Sequence, residues 1–268
     1  MSYKKESDKN LPLINVVVAV FNGVETIERL LLSLVECPYE YVDLIIMDGG
    51  STDGTLELLE KYRDHIKYWK SERDNGIYDA LNKAISFCEL GSYVLVLGAD
   101  DKLLDIQPVV DSIVRDAADV LVTNVRQRNI KSGVAAVYKC FLPADINSYN
   151  FLSFPLHHQG FIFKIPDVSF QGFYPELGLH SDYEFMARTL STAKHPIFVD
   201  VLLSEYSTGG ASDYFSWKNL KSLSCVARSL GLSRLKILIF SPLQFLRIIF
   251  KLLLPVGCID LLRRFFRP

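Results

Sequence analysis

Seven consecutive residues, Ile14-Asn15-Val16-Val17-Val18-Ala19-Val20, form a nearly unbroken β-branched run that ends at Asn22-Gly23. Apolar residues without a period-two alternation mark a strand buried on both faces, as in a parallel sheet covered by helices. The stretch that follows changes period: Val24, Ile27, Leu30, Leu31, Leu34 and Val35 recur at three- and four-residue intervals until Pro38, which predicts an amphipathic helix. The same sequence of events comes twice more. Leu44–Met47 leads into Asp48-Gly49-Gly50-Ser51-Thr52-Asp53-Gly54 and a helix bearing Leu56, Leu59 and Tyr62, and residues 66–70 precede a helix over about 77–88. Strand, glycine turn and helix in repetition define an α/β fold.

A fourth buried strand, Tyr93–Leu97, stops at Gly98-Ala99-Asp100-Asp101. In an open parallel sheet ligands bind beyond the carboxyl ends of strands, so the polar clusters at Asn22, Asp48 and Asp100 outline a pocket along one edge. Farther on the pattern predicts a helix near 108–117, strands near 120–125 and 134–141, a loop-rich stretch to Gly178, a helix over about 182–190 and a strand over 197–203. With 268 residues, 49% of them apolar, the chain buries a full core, and composition excludes disorder. Five scattered cysteines without a C-x-x-C pair indicate neither a disulfide framework nor a zinc site, which suits a reducing compartment. Pro12 and Asn15 in the first apolar run, and the lack of a small-residue cleavage site, favour a strand over a secretory leader.

Four stretches carry a family resemblance: Val18-Ala19-Val20-Phe21-Asn22; Ile46-Met47-Asp48-Gly49-Gly50-Ser51-Thr52-Asp53-Gly54-Thr55; Asp74-Asn75-Gly76-Ile77-Tyr78-Asp79-Ala80-Leu81-Asn82-Lys83; and Leu97-Gly98-Ala99-Asp100-Asp101. In this order they resemble the family 2 glycosyltransferases of GT-A fold, in particular the small non-processive bacterial enzymes that build surface polysaccharides. The likeness is close over residues 11–105 and thins out to about 212. It implies a GT-A, Rossmann-like, mostly parallel sheet flanked by helices. It also implies an inverting transfer of a single sugar from a nucleoside diphosphate donor, UDP-linked by family habit, to an acceptor hydroxyl, expected to belong to a lipid-linked saccharide.

For an isolated Asp48 the residues alone favour turn capping; the resemblance implies a contact to the pyrimidine base, with Val20, Phe21 and Asn22 flanking base and ribose. Asp53 reads equally as the cap of the following helix or as a donor contact. Asp74 and Asp79 read on their own as a turn and a wet helix face, and through the family as contacts to donor sugar and diphosphate, where backbone N–H groups favour anions. Ala99 and Asp100 join that donor set. Asp100 and Asp101, adjacent carboxylates at the end of an apolar strand, repel unless a cation or loop donors compensate. Mg²⁺ or Mn²⁺ bridging the leaving diphosphate is the expected answer. Glycine at position 98 departs from the usual acidic triplet and weakens that site.

Asp182, in His180-Ser181-Asp182-Tyr183-Glu184, reads locally as a helix cap. The resemblance makes it the general base, with Glu184 in reserve. The resemblance also places His158 and Gln159 near the donor, while two neighbouring histidines at 157 and 158 do not suit one metal ion. Tyr206–Ser212 resembles a segment that closes over donor and serves equally as a plain loop before a helix.

From Val226 onward eight cations (Arg228, Arg234, Lys236, Arg247, Lys251, Arg263, Arg264 and Arg267) stand against Asp260 alone, although the whole chain carries a net charge of −2. The folded body is therefore acidic, which argues against nucleic acid as a partner. Residues 232–268 alternate apolar blocks with isolated cations and prolines, so they are expected to lie on an anionic membrane surface rather than cross it; packing on the catalytic core is the other reading. The expected organisation is a catalytic domain over 1–212 and a helical C-terminal region over 213–268, at the inner face of the cell membrane. Gln244-Phe245-Leu246-Arg247 lacks the tryptophan of the processive Q-x-x-R-W motif, which supports addition of one sugar. Two other classes stand against this reading. A sugar-nucleotide nucleotidyltransferase begins with a basic glycine-rich phosphate loop, which residues 14–23 do not contain, and a non-catalytic nucleotide-sugar-binding protein would tolerate Gly98.

Overall fold

A computed structural model describes residues 11–129, 133–142, 156–166 and 170–207, together with Ser222, Cys225, Val226 and Arg228. The elements are β1 (Ile14–Val20), α1 (Ile27–Val35), β2 (Val42–Asp48), α2 (Thr55–Lys61), β3 (Tyr68–Ser71), α3 (Ile77–Ile85), β4 (Tyr93–Gly98), β5 (Lys102–Leu103), α4 (Gln107–Asp116), β6 (Val120–Arg128), β7 (Ala135–Tyr138), β8 (Phe161–Lys164), α5 (Ser181–Thr192) and β9 (Pro196–Ser207). The strands form one sheet in the order β3-β2-β1-β4-β8-β6-β9-β5, with β7 pairing antiparallel to Val125–Arg128 of β6, beyond the part of β6 that pairs with β8. The GT-A-type α/β architecture expected from the sequence is present.

β1 lies between β2 and β4, parallel to both, with Val16, Val17 and Val18 fully buried. Burial on both sides is the physical reason for its unbroken β-branched run. On one side Ile27, Leu30 and Leu31 of α1 meet Val16, Val18, Leu44, Ile46 and Leu95; on the other Ala80, Leu81, Ala84 and Ile85 of α3 meet Val17, Ile45, Met47, Val94 and Val96. Two apolar layers thus sandwich the sheet.

β8 runs antiparallel to both β4 and β6, and β9 runs parallel to β6. The carboxyl ends of β1, β2, β4, β6 and β9 therefore share one edge. β8 and the two-residue β5 fall where the sequence pattern showed only loop. β8 is four residues long, and its Phe161-Ile162-Phe163 run is buried without alternation, so little distinguishes it locally from any short apolar stretch.

Ser222 and Val226 belong to the C-terminal region, and both are buried. The Ser222 hydroxyl donates to the Leu177 carbonyl and accepts from the His180 backbone N–H at 3.2 Å, so the start of that region is fastened to the turn preceding α5. The expected membrane-seeking segment, residues 232–268, lies outside the described residues. Among those described, no helix is long and apolar enough to cross a membrane.

Candidate active site

The loops after β1 and β2 are laced together. Asn22 adopts a positive φ of 50°, its backbone N–H donates to Ser51 Oγ at 2.7 Å, and its Oδ1 accepts from Thr52 N at 3.0 Å. Asp53 accepts from Val24 N at 3.0 Å and from Thr55 N at 3.1 Å. Burial acts to raise its pKa, yet these hydrogen bonds outweigh that and hold the carboxyl below its ordinary range. Asp53 thus both caps α2 and ties two loops together. Val20 ends β1 in the core while Phe21, 65% exposed, stands out from the edge beside Gly49.

Asp48 is turned into its own glycine loop. Its carboxylate accepts from Gly50 N at 3.0 Å, Ser51 N at 2.9 Å, Ser71 Oγ at 2.6 Å and the Ser51 hydroxyl, and the residue is buried. Four donors take up most of the lone pairs a carboxylate offers. Gly49, next along, is where Asp74 comes in: a Cβ there would sit 2.8 Å from Asp74 Oδ2. Asp74 Oδ1 accepts from Gly76 N at 2.8 Å, and Asp79 accepts from Asn75 N at 3.0 Å and pairs with Lys83 at 3.1 Å. The Asn75 N–H is the largest influence holding Asp79 below the usual carboxylate range. Asp74 and Asp79 therefore shape the turn into α3 beside the β2 loop.

The α3 turn also presents Tyr78, which the sequence reading passed over. Its hydroxyl donates to the Leu179 carbonyl at 2.9 Å and lies 3.3 Å from Asp182 Oδ1. The other carboxylate oxygen, Asp182 Oδ2, is 3.1 Å from His158 Nδ1. Asp182 stands in the first turn of α5, where the helix N-terminus favours negative charge. Burial works to raise its pKa, but the His158 hydrogen bond and the positive field of His158, His180 and His157 win and hold it below the ordinary value. For His158, burial works against the charge, and the Asp182 hydrogen bond with the fields of Asp182, Asp101 and Asp100 raise it above the ordinary value nonetheless.

His158 and Gln159 lie in a single 3-10 turn, His158–Gly160, that delivers the chain into β8. Gly160 is required there, because a Cβ would come within 2.6 Å of the Thr123 carbonyl. Gln159 Oε1 pairs with His157 Nδ1, and the Gln159 side chain acts to lower the pKa of the buried Asp101 carboxyl. His157 in turn stacks on Tyr206 with centroids 4.2 Å apart. The structure thus joins Asp101, Gln159, His157, His158, Asp182 and Tyr78 into one contiguous polar wall.

Asp100 and Asp101 differ in character. Asp101 is buried, its Oδ2 accepts from Gly98 N at 2.6 Å, and burial followed by the Asp100 charge pushes its pKa up to about 7. Gly98 makes this possible, since a Cβ there would stand 3.0 Å from Asp100 Oδ1 and 3.2 Å from Asp101 Oδ2. Asp100 follows Ala99 at the strand end, and its carboxylate accepts no hydrogen bond from the described residues. Of the pair, only Asp100 has the open oxygens that a hard divalent cation requires. Among the described residues no three His, Cys, Asp or Glu side chains are grouped to hold a metal.

Glu184 faces away from this wall. It is buried and held by Arg188 at 2.9 Å and 3.1 Å, and the same guanidinium reaches the Gln171 and Gly172 carbonyls. Asn82, also in the α3 motif, fastens that loop by accepting from Phe173 N at 2.8 Å and donating to its carbonyl at 2.9 Å.

Polar side chains spread along the carboxyl edge of an α/β sheet, beside two laced glycine loops, mark the edge at which proteins of this architecture bind their ligands. The signature of glycosyl transferase family 2 matches residues 15–172, more than half of the chain, and the protein belongs to that family. The cholesterol galactosyltransferase of Borreliella burgdorferi is 26% identical over 144 residues, 53% of this chain and 37% of that protein. The putative teichuronic acid biosynthesis glycosyltransferase TuaG of Bacillus subtilis is 34% identical over 96 residues, 34% of this chain and 37% of that protein. The chain therefore spans well under half the length of these curated relatives. Among solved structures, S. aureus TarS 1-349 in complex with UDP-GlcNAc superposes with a TM-score of 0.64 at 18% identity, covering 89% of this chain and 73% of that one. The mannosyltransferase PcManGT from Pyrobaculum calidifontis, in complex with GDP-Man and Mn²⁺, gives 0.53 at 14% identity, covering 96% of this chain and 80% of that one. These likenesses establish the GT-A fold.

Proposed function

We propose that the protein transfers one sugar from a nucleoside diphosphate carrier, UDP in first place, to the hydroxyl of a saccharide acceptor in surface polysaccharide assembly, with inversion at the anomeric carbon. The observation that carries this reading is Asp182: a carboxylate kept ionised at a helix N-terminus, fixed on one oxygen by Tyr78 and on the other by His158. An inverting displacement needs a single base to take the acceptor proton and no covalent nucleophile, and Asp182 fills that role. Val20, Phe21, Asn22, Asp48 and Asp53 form the base and ribose end of the donor site, Asp48 acting chiefly by holding the glycine loop in shape. Asp74, Asp79, Ala99, Asp100, His158 and Gln159 line its sugar and diphosphate end.

TarS, bound to UDP-GlcNAc, supports a UDP donor, and PcManGT, bound to Mn²⁺, supports a divalent cation. In this chain Asp100 would hold that cation together with the donor's phosphate oxygens and water, and Asp101 would stand behind it. Such a cation offsets the charge that develops on the departing diphosphate. The chain's own residues orient the donor, exclude water and receive the proton at Asp182. The catalytic unit is read as residues 1–212, and the basic, apolar segment 232–268 as what brings it to an anionic membrane and a lipid-linked acceptor. The test is a panel of UDP-sugars incubated with the full chain while UDP release is followed. Slow release with one donor, abolished in Asp182→Asn, supports the reading; binding of a UDP-sugar with no release under any acceptor condition leaves a nucleotide-sugar-binding protein instead.

A further inference from the structure

At the carboxyl ends of β6 and β9, three arginines pair with one carboxylate and a lysine stands beside it in register. Glu205 is ion-paired to Arg29, to Arg126 at 3.4 Å and to Arg128 at 3.8 Å. Lys102 is the register partner of Glu205 on β5, and Arg126 is its register partner on β6, so the three form a row across three strands with side chains on one face. Ser207 opposes Arg128 in the same register and belongs to that face as well.

One carboxylate offers about four acceptor sites, while three guanidinium groups bring about five N–H donors each. Glu205 is nearly covered, at 10% side-chain exposure, whereas Arg126 and Arg128 remain 37% and 48% exposed. Like charges held this close repel unless anions compensate, and among the described residues a single carboxylate stands against the cluster. Among the described residues Glu205 is the sole acidic side chain paired with these arginines. Asp100 and Asp101 lie at the neighbouring strand end, Asp101 accepting from the Gly98 N–H. The guanidinium fork matches phosphate oxygens in geometry as well as charge.

The location selects which phosphate. β1 and β2, whose loops form the nucleotide end of the proposed donor site, are separated from β6, β9 and β5 by β4 and β8. Yet the cluster stays beside the reacting edge, since Arg29 Nη1 is 3.3 Å from the Asp100 carbonyl and Ser207 Oγ is 3.4 Å from the same atom. We infer that Arg29, Lys102, Arg126 and Arg128 form a second anion subsite that takes a phosphodiester or diphosphate group of the acceptor. This rests on the glycosyltransferase reading and specifies its acceptor: a saccharide carrying phosphate near the hydroxyl that receives the sugar. Glu205 keeps the arginines extended and in place when that phosphate is absent.

The experiment titrates inorganic pyrophosphate into the full chain already saturated with UDP, by calorimetry at low salt, where such contacts are strongest. Arg126→Gln with Arg128→Gln is expected to weaken pyrophosphate binding by roughly tenfold or more, since two charge-assisted forks are lost. UDP affinity should be retained, and Arg29 remains to pair Glu205 and preserve the fold. Arg126→Lys with Arg128→Lys should recover much of the pyrophosphate affinity. Vesicles of phosphatidylglycerol, with phosphatidylcholine as control, form the second arm. If the double Gln variant lowers vesicle binding while pyrophosphate does not bind, the cluster serves a lipid headgroup and the acceptor role is overturned. Pyrophosphate binding that UDP abolishes assigns the phosphate to the donor site and also overturns it, as does unchanged binding in the double Gln variant. Failure of UDP to bind at all would instead remove the nucleotide-sugar reading, and pyrophosphate titrated without UDP would still decide the cluster.

Discussion

His158 Nδ1 stands 3.1 Å from Asp182 Oδ2, one residue before Gln159, whose side chain acts on the Asp101 carboxyl, so the proposed base and the acidic end of β4 meet at a single 3-10 turn. That coupling gives Asp182 a partner able to accept or surrender charge within the physiological range. Replacing Asp182 with Asn keeps the shape and one hydrogen-bonding oxygen but removes the base. Turnover should fall by roughly 10²- to 10⁴-fold, the usual contribution of a positioned general base. UDP affinity measured by calorimetry should change little, because Asp182 belongs to α5 and the proposed nucleotide end belongs to the loops after β1 and β2.

Tyr78→Phe tests whether position, rather than charge, matters at Asp182. The phenol touches both Asp182 and the Leu179 carbonyl, so its loss releases one carboxylate oxygen without altering charge. A hydrogen bond of this kind contributes about 1 kcal/mol. If that is expressed in the transition state, kcat drops roughly fivefold with KM for the donor nearly constant. A rise in KM alone would place Tyr78 in donor binding.

The ion pair predicts a pH signature in stability. The His158 pKa lies above its ordinary 6.5 despite burial, so its contribution is complete below 6.5 and is lost as pH rises through the folded value. The Asp182 pKa lies below its ordinary 3.8 despite burial, so its contribution is present above 3.8 and is lost as pH falls through the folded value. Between these limits the pair is intact. Melting temperature against pH should therefore decline on the alkaline side in the native protein, and His158→Gln should flatten that decline. A variant curve parallel to the native one would show that the pair contributes nothing to folding.

Much of this was readable from residues alone, and the boundary has a physical cause. β1, β2, β4 and α3 carry their burial in their periodicity, so their positions were plain. β8 and β5 were not, because four residues and two residues hold too little pattern to reveal partners elsewhere in the chain. The aspartates were legible as a set, since carboxylates at strand ends are conspicuous. Their individual postures were not: Asp48 folding into its own loop and Asp101 turning toward Gly98 N depend on loop geometry. Tyr78 does not stand out beside Asp79, because a tyrosine on a helix reads as core. Arg29 and Glu205 are far in sequence from Arg126 and Arg128, and it is the β6–β9 register that brings the latter two to Glu205.

Glu184 offers a contrast within the same helix. Its side chain is 5% exposed and is clasped by Arg188, which also holds the 171–172 loop. Removing one member of a buried pair is costly, about 3–5 kcal/mol, because the other charge is stranded. Arg188→Leu should therefore lower the denaturation midpoint sharply. Glu184→Gln, which retains an acceptor for Arg188, should melt earlier than the native protein yet still turn over donor. Loss of turnover at full stability in Glu184→Gln would transfer the proton-accepting role from Asp182 to Glu184.

The two members of the acidic pair make different predictions for metal. Asp101 Oδ2 is engaged by the Gly98 N–H, whereas the Asp100 carboxylate accepts no hydrogen bond from the described residues, so among the described residues one open carboxylate is on offer to a cation where a dedicated cage supplies several. Mg²⁺ and Mn²⁺ bound by one carboxylate keep most of their water and gain their remaining ligands from substrate phosphates. Mn²⁺ affinity measured by calorimetry should accordingly be weak in the free protein and rise by roughly an order of magnitude or more when UDP is present, a coupling of at least ~1.4 kcal/mol that must act equally on UDP affinity. Asp100→Asn should remove the coupling while UDP still binds to the loops after β1 and β2. Excess EDTA should suppress donor turnover in the native protein, and full activity in its presence would show that the diphosphate leaves without a divalent cation.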